Sequence, residues 1–261
     1  MQAADLPLLK DAARIAGRVA TSFVGPAATR WDKPDGAGPV TEADLAVNDV
    51  LMSTLRTARP DYGWLSEETE DDGGRLEQDT LFIIDPIDGT RSFVEGARTW
   101  AISIAIAHQG RVTAAAIYLP LRDKLYAAGL GTGATLNGDA LRASANPISP
   151  ASKVLAARPN FEPKNWKGDV PHVDRHYRPS LAYRLSLVGE GKFDAMLTLR
   201  PSWEWDIAAG ALIVSEAGGT ITDRTGGPLR FNNPRPMLNG VLAAGPALHA
   251  DLLNQLGPHS A

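Results

Sequence analysis

Five carboxylates stand at the ends or starts of regular segments: Asp44, Glu67, Asp85, Asp88 and Asp206. The densest grouping is Asp85-Pro86-Ile87-Asp88-Gly89-Thr90, which follows directly on the apolar run Leu81-Phe82-Ile83-Ile84. A strand of that composition belongs in a buried sheet, so Asp85 is expected at the sheet's lip. Pro86 fixes the backbone and Gly89 permits a tight turn, which lets Asp85 and Asp88 face one pocket. Several carboxylates in one cleft repel one another unless cations bridge them, and hard oxygen ligands favour Mg²⁺ or Mn²⁺ over zinc or copper. Gly89 and Thr90 then lead into a short helical turn over Arg91 to Val94, whose free amides can bind phosphate oxygens. Metal-binding acids beside an anion-binding turn point to phosphoryl chemistry. Each piece also has an ordinary reading. Asp-x-x-Asp-Gly is commonly a solvated turn, Thr41 to Asp44 a helix cap, Glu67-Glu68 an acidic surface, and Asp206 a charge at a helix N-terminus.

The elements that must position these acids can be read from the apolar spacing. Leu8, Leu9, Ala12, Ile15, Ala16, Val19 and Phe23 recur at helical intervals and predict an opening helix over Leu6 to Phe23. Gly25 to Pro39, with its prolines and glycines, predicts a loop. A second helix is expected from Thr41, with Asp44 in the N3 role of a capping box, to about Arg59, where Pro60 ends it. Strands are predicted at Tyr62 to Leu65 and Leu81 to Ile84, each terminating in carboxylates, and a three-stranded antiparallel meander between Thr99 and Ala128 completes a sheet under the first two helices. The second half predicts a strand at Val154 to Ala157, a helix over Ser180 to Gly189 and a strand at Phe193 to Leu199. A helix from about Trp205 to Ala217, short strands at Thr220 to Thr222 and Val241 to Ala244, and a final helix over Pro246 to Leu256 follow. The pattern is one of alternating helix and sheet layers, with a change of subdomain near Asn146 to Ser152, dividing residues 1–148 from 149–261 of one domain.

Composition narrows the classes of partner. The 261 residues carry 30 acidic against 26 basic side chains, a net charge of -4 that gives no general attraction to nucleic acid or to an anionic membrane. Any anionic ligand must be captured locally. The absence of cysteine excludes disulfides, thiolate zinc sites and cysteine nucleophiles, and suits a reducing cytoplasm. Asp5, Lys10, Asp11 and Arg14 interrupt the amino-terminal apolar residues, so no signal peptide is expected there, and no stretch is apolar enough to span a bilayer. A cytoplasmic location is expected.

Together the motifs resemble the inositol monophosphatase superfamily of lithium-sensitive, Mg²⁺-dependent phosphatases. The likeness rests on Val40-Thr41-x-Ala43-Asp44, Leu65-Ser66-Glu67-Glu68, Asp85 to Thr90 followed by Ser92-Phe93, and Trp205-Asp206-Ile207-Ala208-Ala209-Gly210 continuing to Glu216-Ala217-Gly218-Gly219. The resemblance implies an α/β/α/β/α sandwich and a homodimer. It implies that Glu67, Asp85 and the Ile87 carbonyl hold a first Mg²⁺ with the attacking water, and that Asp85, Asp88 and Asp206 hold a second at the leaving oxygen. A third, weaker metal near Glu67, replacement by Mn²⁺ and inhibition by Li⁺ belong to the same implication. Thr90 and Asp44 match the pair that orients and deprotonates the water, and the amides of Gly89 and Thr90 match the phosphate cradle. Lys33 matches a lysine near the mobile metal loop of relatives, or equally is a solvated loop lysine, and Asp35 to Gly38 is expected to close over the site.

The leaving group is less determined. Ser92 departs from the asparagine common in inositol phosphatases and resembles some histidinol-phosphate phosphatases. Ser180 to Gly191 is more similar to bacterial 3'(2'),5'-bisphosphate nucleotidases, where a basic residue at the position of Arg184 would meet a second phosphate. Arg184 can equally be read as an exposed helix residue. Trp203 and Glu204 are candidates for the leaving-group pocket, Trp203 as a surface for a nucleobase, or else a packed rim. A nucleoside 3',5'-bisphosphate is therefore expected first, inositol monophosphate second and histidinol phosphate third. Some members of the superfamily also act as binding regulators of RNA or transcription machinery, which is the alternative of another class.

Overall fold

The computed structural model describes residues 5–23, 29–32 and 39–257. Helix α1 (Asp5–Ser22) turns Leu9, Ala12, Ala13, Ala16 and Ala20 inward, as its helical spacing requires. Strand β1 (Arg30–Asp32), inside the predicted loop, pairs antiparallel with β2 (Pro39–Thr41), which begins at the loop's last residue. Helix α2 (Glu42–Ala58) starts from a complete capping box between Thr41 and Asp44 and stops before Pro60. Strands β3 (Gly63–Ser66) and β4 (Thr80–Asp88) lead to the short α3 (Thr90–Val94). Then come β5 (Ala101–His108), β6 (Arg111–Leu119), β7 (Lys124–Gly129), β8 (Gly133–Leu136) and β9 (Asp139–Ala140). These seven strands lie in sequence order in one sheet, in which β3 runs parallel to β4 and every later neighbour is antiparallel.

The remaining elements are β10 (Lys153–Leu155), β11 (Asp174–His176), α4 (Leu181–Gly189), β12 (Ala195–Thr198), β13 (Ser202–Trp203) and α5 (Glu204–Glu216). Last come β14 (Thr220–Thr222), β15 (Met237–Leu238), β16 (Val241–Ala244) and α6 (Pro246–Gln255). A second sheet has the order β11-β10-β12-β16-β14, while β13 pairs separately with β15.

Three hydrophobic clusters order the layers. Phe82, Ile84, Ile102 and Ile104 of the first sheet meet Leu9, Val47 and Leu51 of α1 and α2. The alternate residues Leu81, Ile83 and Ala105 meet Leu185 and Ile213 of α4 and α5, whose other contacts are Leu155, Met196 and Ala243 of the second sheet. The far face of that sheet, through Val154, Leu197 and Leu242, packs on Leu248 and Leu252 of α6. Period-two alternation along each strand thus makes both sheets two-faced, and the result is the expected α/β/α/β/α sandwich.

One local expectation changes. The strand does not stop at Ile84: Asp85 pairs with Ser103 and Asp88 with Ala101, with a break in register between them. Pro86 lies in that irregularity, where its missing N–H leaves no gap in the ladder. Asp85 and Asp88 are therefore held by the sheet itself rather than by a turn beyond it. The last helix before the double glycine begins at Glu204, one residue earlier than its apolar pattern suggests.

Candidate active site

The irregular end of β4 brings its two acids together. One oxygen from each of Asp85, Asp88 and Asp206 lies within 4.8 Å of the other two, with Asp206 supplied by the first turn of α5. Glu67, immediately after β3, lines the same cleft, and its amide donates to the Ile84 carbonyl at 3.2 Å. The turn that carries Glu67 is anchored from α2 and β3. Ser66 donates its hydroxyl to Asn48 Oδ1 at 2.7 Å, while Asn48 Nδ2 and Trp64 Nε1 both donate to Thr69 Oγ1 at 3.1 Å.

Burial and crowding set the electrostatics. Asp85 is pushed well above the usual carboxylate range, first by loss of hydration and then by repulsion from Glu67, Asp88, Asp206 and Asp44. Asp206 is raised well above it too, by burial and by Asp88 and Glu67, with Arg200 opposing. Asp88 is pushed up to about 6 by burial, against the hydrogen bonds of Ser180 and Ala182. Those bonds go to a single oxygen: Asp88 Oδ2 accepts from Ser180 Oγ and from the Ala182 amide, both at 2.6 Å. Ser180 is also the N-cap of α4, accepting from the Tyr183 amide at 3.0 Å. The start of α4 is thereby docked on the end of β4, and Asp88 is left its other oxygen for the cleft. All-oxygen donors that are buried and crowded this closely fit Mg²⁺, whose charge would offset their mutual repulsion.

Asp44 divides its two oxygens between folding and the site. Oδ2 accepts from the Thr41 amide at 2.8 Å and from the Thr41 hydroxyl at 2.6 Å, while Oδ1 lies 3.2 Å from the Thr90 hydroxyl. Thr90 Oγ1 is also 3.2 Å from the Ile87 carbonyl oxygen, so its single proton has two acceptors in reach. Burial is the main cause that raises the Asp44 carboxyl above its ordinary value, and the Thr41 bonds oppose it. Gly89 has φ +98°, a left-handed conformation that turns the chain from β4 into α3 and that a side chain would strain.

The cleft encloses about 340 Å³ and is lined by Ile87, Gly89 and Thr90 together with Arg91, Tyr177, Arg184 and Arg200. Arg184 is buried rather than exposed. Its Nε donates to the Arg178 carbonyl and its Nη2 to the Pro179 carbonyl at 3.3 Å, with the guanidinium 4.4 Å from the Tyr177 ring centre. Tyr177, Ser180 and Arg200 are missing from the sequence-derived set. Tyr177 and Arg200 sit on connections with no periodic pattern, although Ser180 is recognisable as a helix cap.

Two residues expected either in the leaving-group pocket or in a packed rim are packed away from the cleft. Trp203 is not among the residues lining the cleft and instead stacks on Trp205, with ring centres 4.7 Å apart. Glu204 is completely buried and hydrogen-bonded to Asn232 and Asn233. Residues two apart on a helix point to different sides, so Asp206 facing the cleft turns Glu204 away from it. Lys33 and the segment Asp35 to Gly38 lie outside the described residues.

Comparison with known proteins adds an independent line. The sequence profile of the inositol monophosphatase family matches residues 3–260. The chain is 35% identical over 235 residues to Nus factor SuhB of Salmonella typhimurium, covering 85% of this chain and 86% of that protein. It is 34% identical over 244 residues to an inositol-1-monophosphatase of Mesorhizobium japonicum, covering 87% and 88%. Among solved structures, a Thermotoga maritima IMPase matches with TM-score 0.82 and 28% identity over 97% of this chain and 96% of that one. Extragenic suppressor protein suhB of Bartonella henselae also matches with TM-score 0.82, at 29% identity over 97% and 98%. Among the described residues no helix is long and apolar enough to cross a membrane.

Proposed function

The chain belongs to the inositol monophosphatase family, and from that premise we propose that it is a Mg²⁺-dependent phosphomonoesterase acting on a small phosphate ester. The observation that carries this reading is the convergence of Asp85, Asp88 and Asp206 within 4.8 Å, beside Glu67 in a cleft. Glu67, Asp85, the Ile87 carbonyl, Asp88 and Asp206 would hold two Mg²⁺ ions. Bound there, Mg²⁺ supplies the positive charge that acidifies a water and neutralises a departing oxygen. Asp44 is the proton acceptor in this reading. Its burial favours the protonated form, which makes its carboxylate the stronger base, and Thr90 holds its hydroxyl against Asp44 Oδ1 to orient the water. The amides of Gly89 and Thr90 hold the phosphate.

For the leaving group, two observations move inositol monophosphate ahead of a nucleoside 3',5'-bisphosphate. Arg184, expected to meet a second phosphate, already donates to the carbonyls of Arg178 and Pro179. A relative 34% identical over most of both chains is named an inositol-1-monophosphatase. Arg200 supports the bisphosphate as runner-up, because it places another cation on the cleft wall. Histidinol phosphate stays third. Phosphate release from the three esters in Mg²⁺ tests the order, with kcat/KM for inositol 1-phosphate expected to lead by about tenfold or more. Uniformly negligible release would defeat the phosphatase reading. Li⁺ is expected to inhibit by competing for the site that contains Asp206, most visibly at limiting Mg²⁺.

The relatives named Nus factor support a second role, as a binding regulator of RNA or transcription machinery. Asp88→Asn separates the two: turnover should be lost and capture of transcription components left unchanged. Homodimerisation is expected from the family resemblance, and sedimentation measures it.

A further inference from the structure

Glu204, turned away from the cleft, is the centre of a connection between two metal-ligand segments that are far apart in sequence. Its Oε2 accepts from the Asn232 amide at 2.7 Å, and its Oε1 accepts from the Asn233 amide at 2.9 Å and from Asn233 Nδ2 at 2.7 Å. The same two asparagines are also held by Arg75. Arg75 Nη1 donates to Asn232 Oδ1 at 2.6 Å and Nη2 to the Asn233 carbonyl at 3.0 Å, and Asn232 Nδ2 returns a bond to the Arg75 carbonyl at 3.2 Å. The guanidinium also holds Asp71, through Nε at 3.0 Å and Nη2 at 2.7 Å. Asp71 lies four residues beyond Glu67, and Glu204 two residues before Asp206.

Arg75 is 3% exposed and Glu204 is 0% exposed, and neither lines the cleft. Burying two opposite charges has a large desolvation cost, and apolar side chains would join a loop to a helix at least as well. What the charged strap adds is direction, because a forked guanidinium and a carboxylate with both oxygens bonded fix their partners in angle as well as distance. We propose that Arg75 and Glu204 are positioning residues for the metal site. Through the Asn232–Asn233 turn they set the separation between Glu67 on the first sheet's edge and Asp206 on α5. This rests on the metal-site reading above. Groups hydrogen-bonded directly to metal ligands typically contribute about 10–100-fold in metal affinity, and for a strap one step further back the lower end, about 10-fold, is expected.

The test is calorimetric titration of the full chain with Mg²⁺ alone, without substrate, for the parent, Arg75→Met and Glu204→Gln. The variants should bind Mg²⁺ about 10-fold more weakly, and their kcat should recover at saturating Mg²⁺, since no group that touches substrate is removed. Variants that keep the parent circular dichroism spectrum and bind Mg²⁺ within about twofold of the parent overturn the proposal. If either variant fails to fold, Asn232→Ala decides by the same titration, because it removes both side-chain bonds between Asn232 and Arg75 and leaves the backbone amide of Asn232 on Glu204. Weaker Mg²⁺ binding by Asn232→Ala supports the strap, and unchanged binding overturns it. A parent that binds no Mg²⁺ defeats the metal-site reading and the strap with it, whereas a parent and variants that bind equally defeat the strap alone.

Discussion

The carboxylate side chains of the cleft control how the protein responds to pH. Asp88 is raised to about 6, and Asp85 and Asp206 are raised well above the ordinary value near 3.8. With folded values above unfolded ones, the native state binds protons that the unfolded chain has released. The resulting stability is present at acid pH and is lost as pH rises from the ordinary carboxylate range through about 6 and beyond. Metal-free protein should therefore show a Tm that falls from about pH 4 through about pH 6 and above, and Mg²⁺ should flatten the fall. Asp85→Asn should abolish metal-dependent turnover and yet raise the metal-free Tm at about pH 8, by about 2–4 °C for each kcal/mol of repulsion relieved. An unchanged or lower Tm in chelator would contradict the crowding described here. Thr90→Val, which removes only the hydroxyl facing Asp44, should lower kcat by about 100-fold with Mg²⁺ affinity nearly unchanged, as calorimetry and steady-state kinetics can separate. Residue types alone made the acids legible, and Asp44 shows what they could not supply. Its part in the cap follows from Thr41-x-x-Asp44, whereas its contact with Thr90 depends on where β4 ends in space. Glu204 lies outside the pocket because adjacency to Asp206 in sequence is not adjacency in direction: two residues along a helix turn the side chain to another side.

Elements carry these groups, and the contact between α4 and α5 decides how closely they can meet. A Cβ built on Gly210 would lie 2.5 Å from Leu185 Cβ and Cδ1, so α5 reaches α4 only because position 210 has no side chain. The pair also presents Ser180 and Arg184 on one helix and Asp206 on the other. Gly210→Ala should cost about 1–3 kcal/mol through overpacking and weaken Mg²⁺ binding as well, although residue 210 does not line the cleft. Chemical denaturation and metal titration on the same variant would test the link; loss of stability with unaltered Mg²⁺ affinity would break it. The long helices and the central strands were legible because their apolar periods extend over enough residues to be recognised. Strands β9, β13 and β15 were not, since each is two residues long and owes its pairing to the chain around it. The passage of β4 through Asp85 to Asp88 was hidden by Pro86, which normally argues against a strand and here occupies an irregularity that spares its missing donor.

At the scale of the whole molecule, alternating helix and sheet layers were readable from the element types, while the five-layer order and the joining of Asp206 to Asp85 and Asp88 followed only from the family resemblance. Glu67, Asp85 and Asp88 come from the first sheet and its edge, but Asp206 arrives on a helix more than a hundred residues later, sandwiched between the two sheets. Chelation should lower Tm by an amount that scales with cation concentration, reaching about 2.7 kcal/mol of lost stability relative to Mg²⁺ at 100 times its Kd. A Tm independent of Mg²⁺ would show that no such site forms. The split origin of the proposed ligands also has a consequence in time. Until α5 docks against the first sheet the set is incomplete, so an incompletely assembled chain has little to offer the cation. Mg²⁺ should therefore leave the refolding rate almost unchanged and slow unfolding, which stopped-flow measurements with and without chelator can separate. Copies made in cation-rich and cation-poor surroundings would fold alike and be lost at different rates, so that the amount of this protein, as well as its turnover, would follow the supply of Mg²⁺.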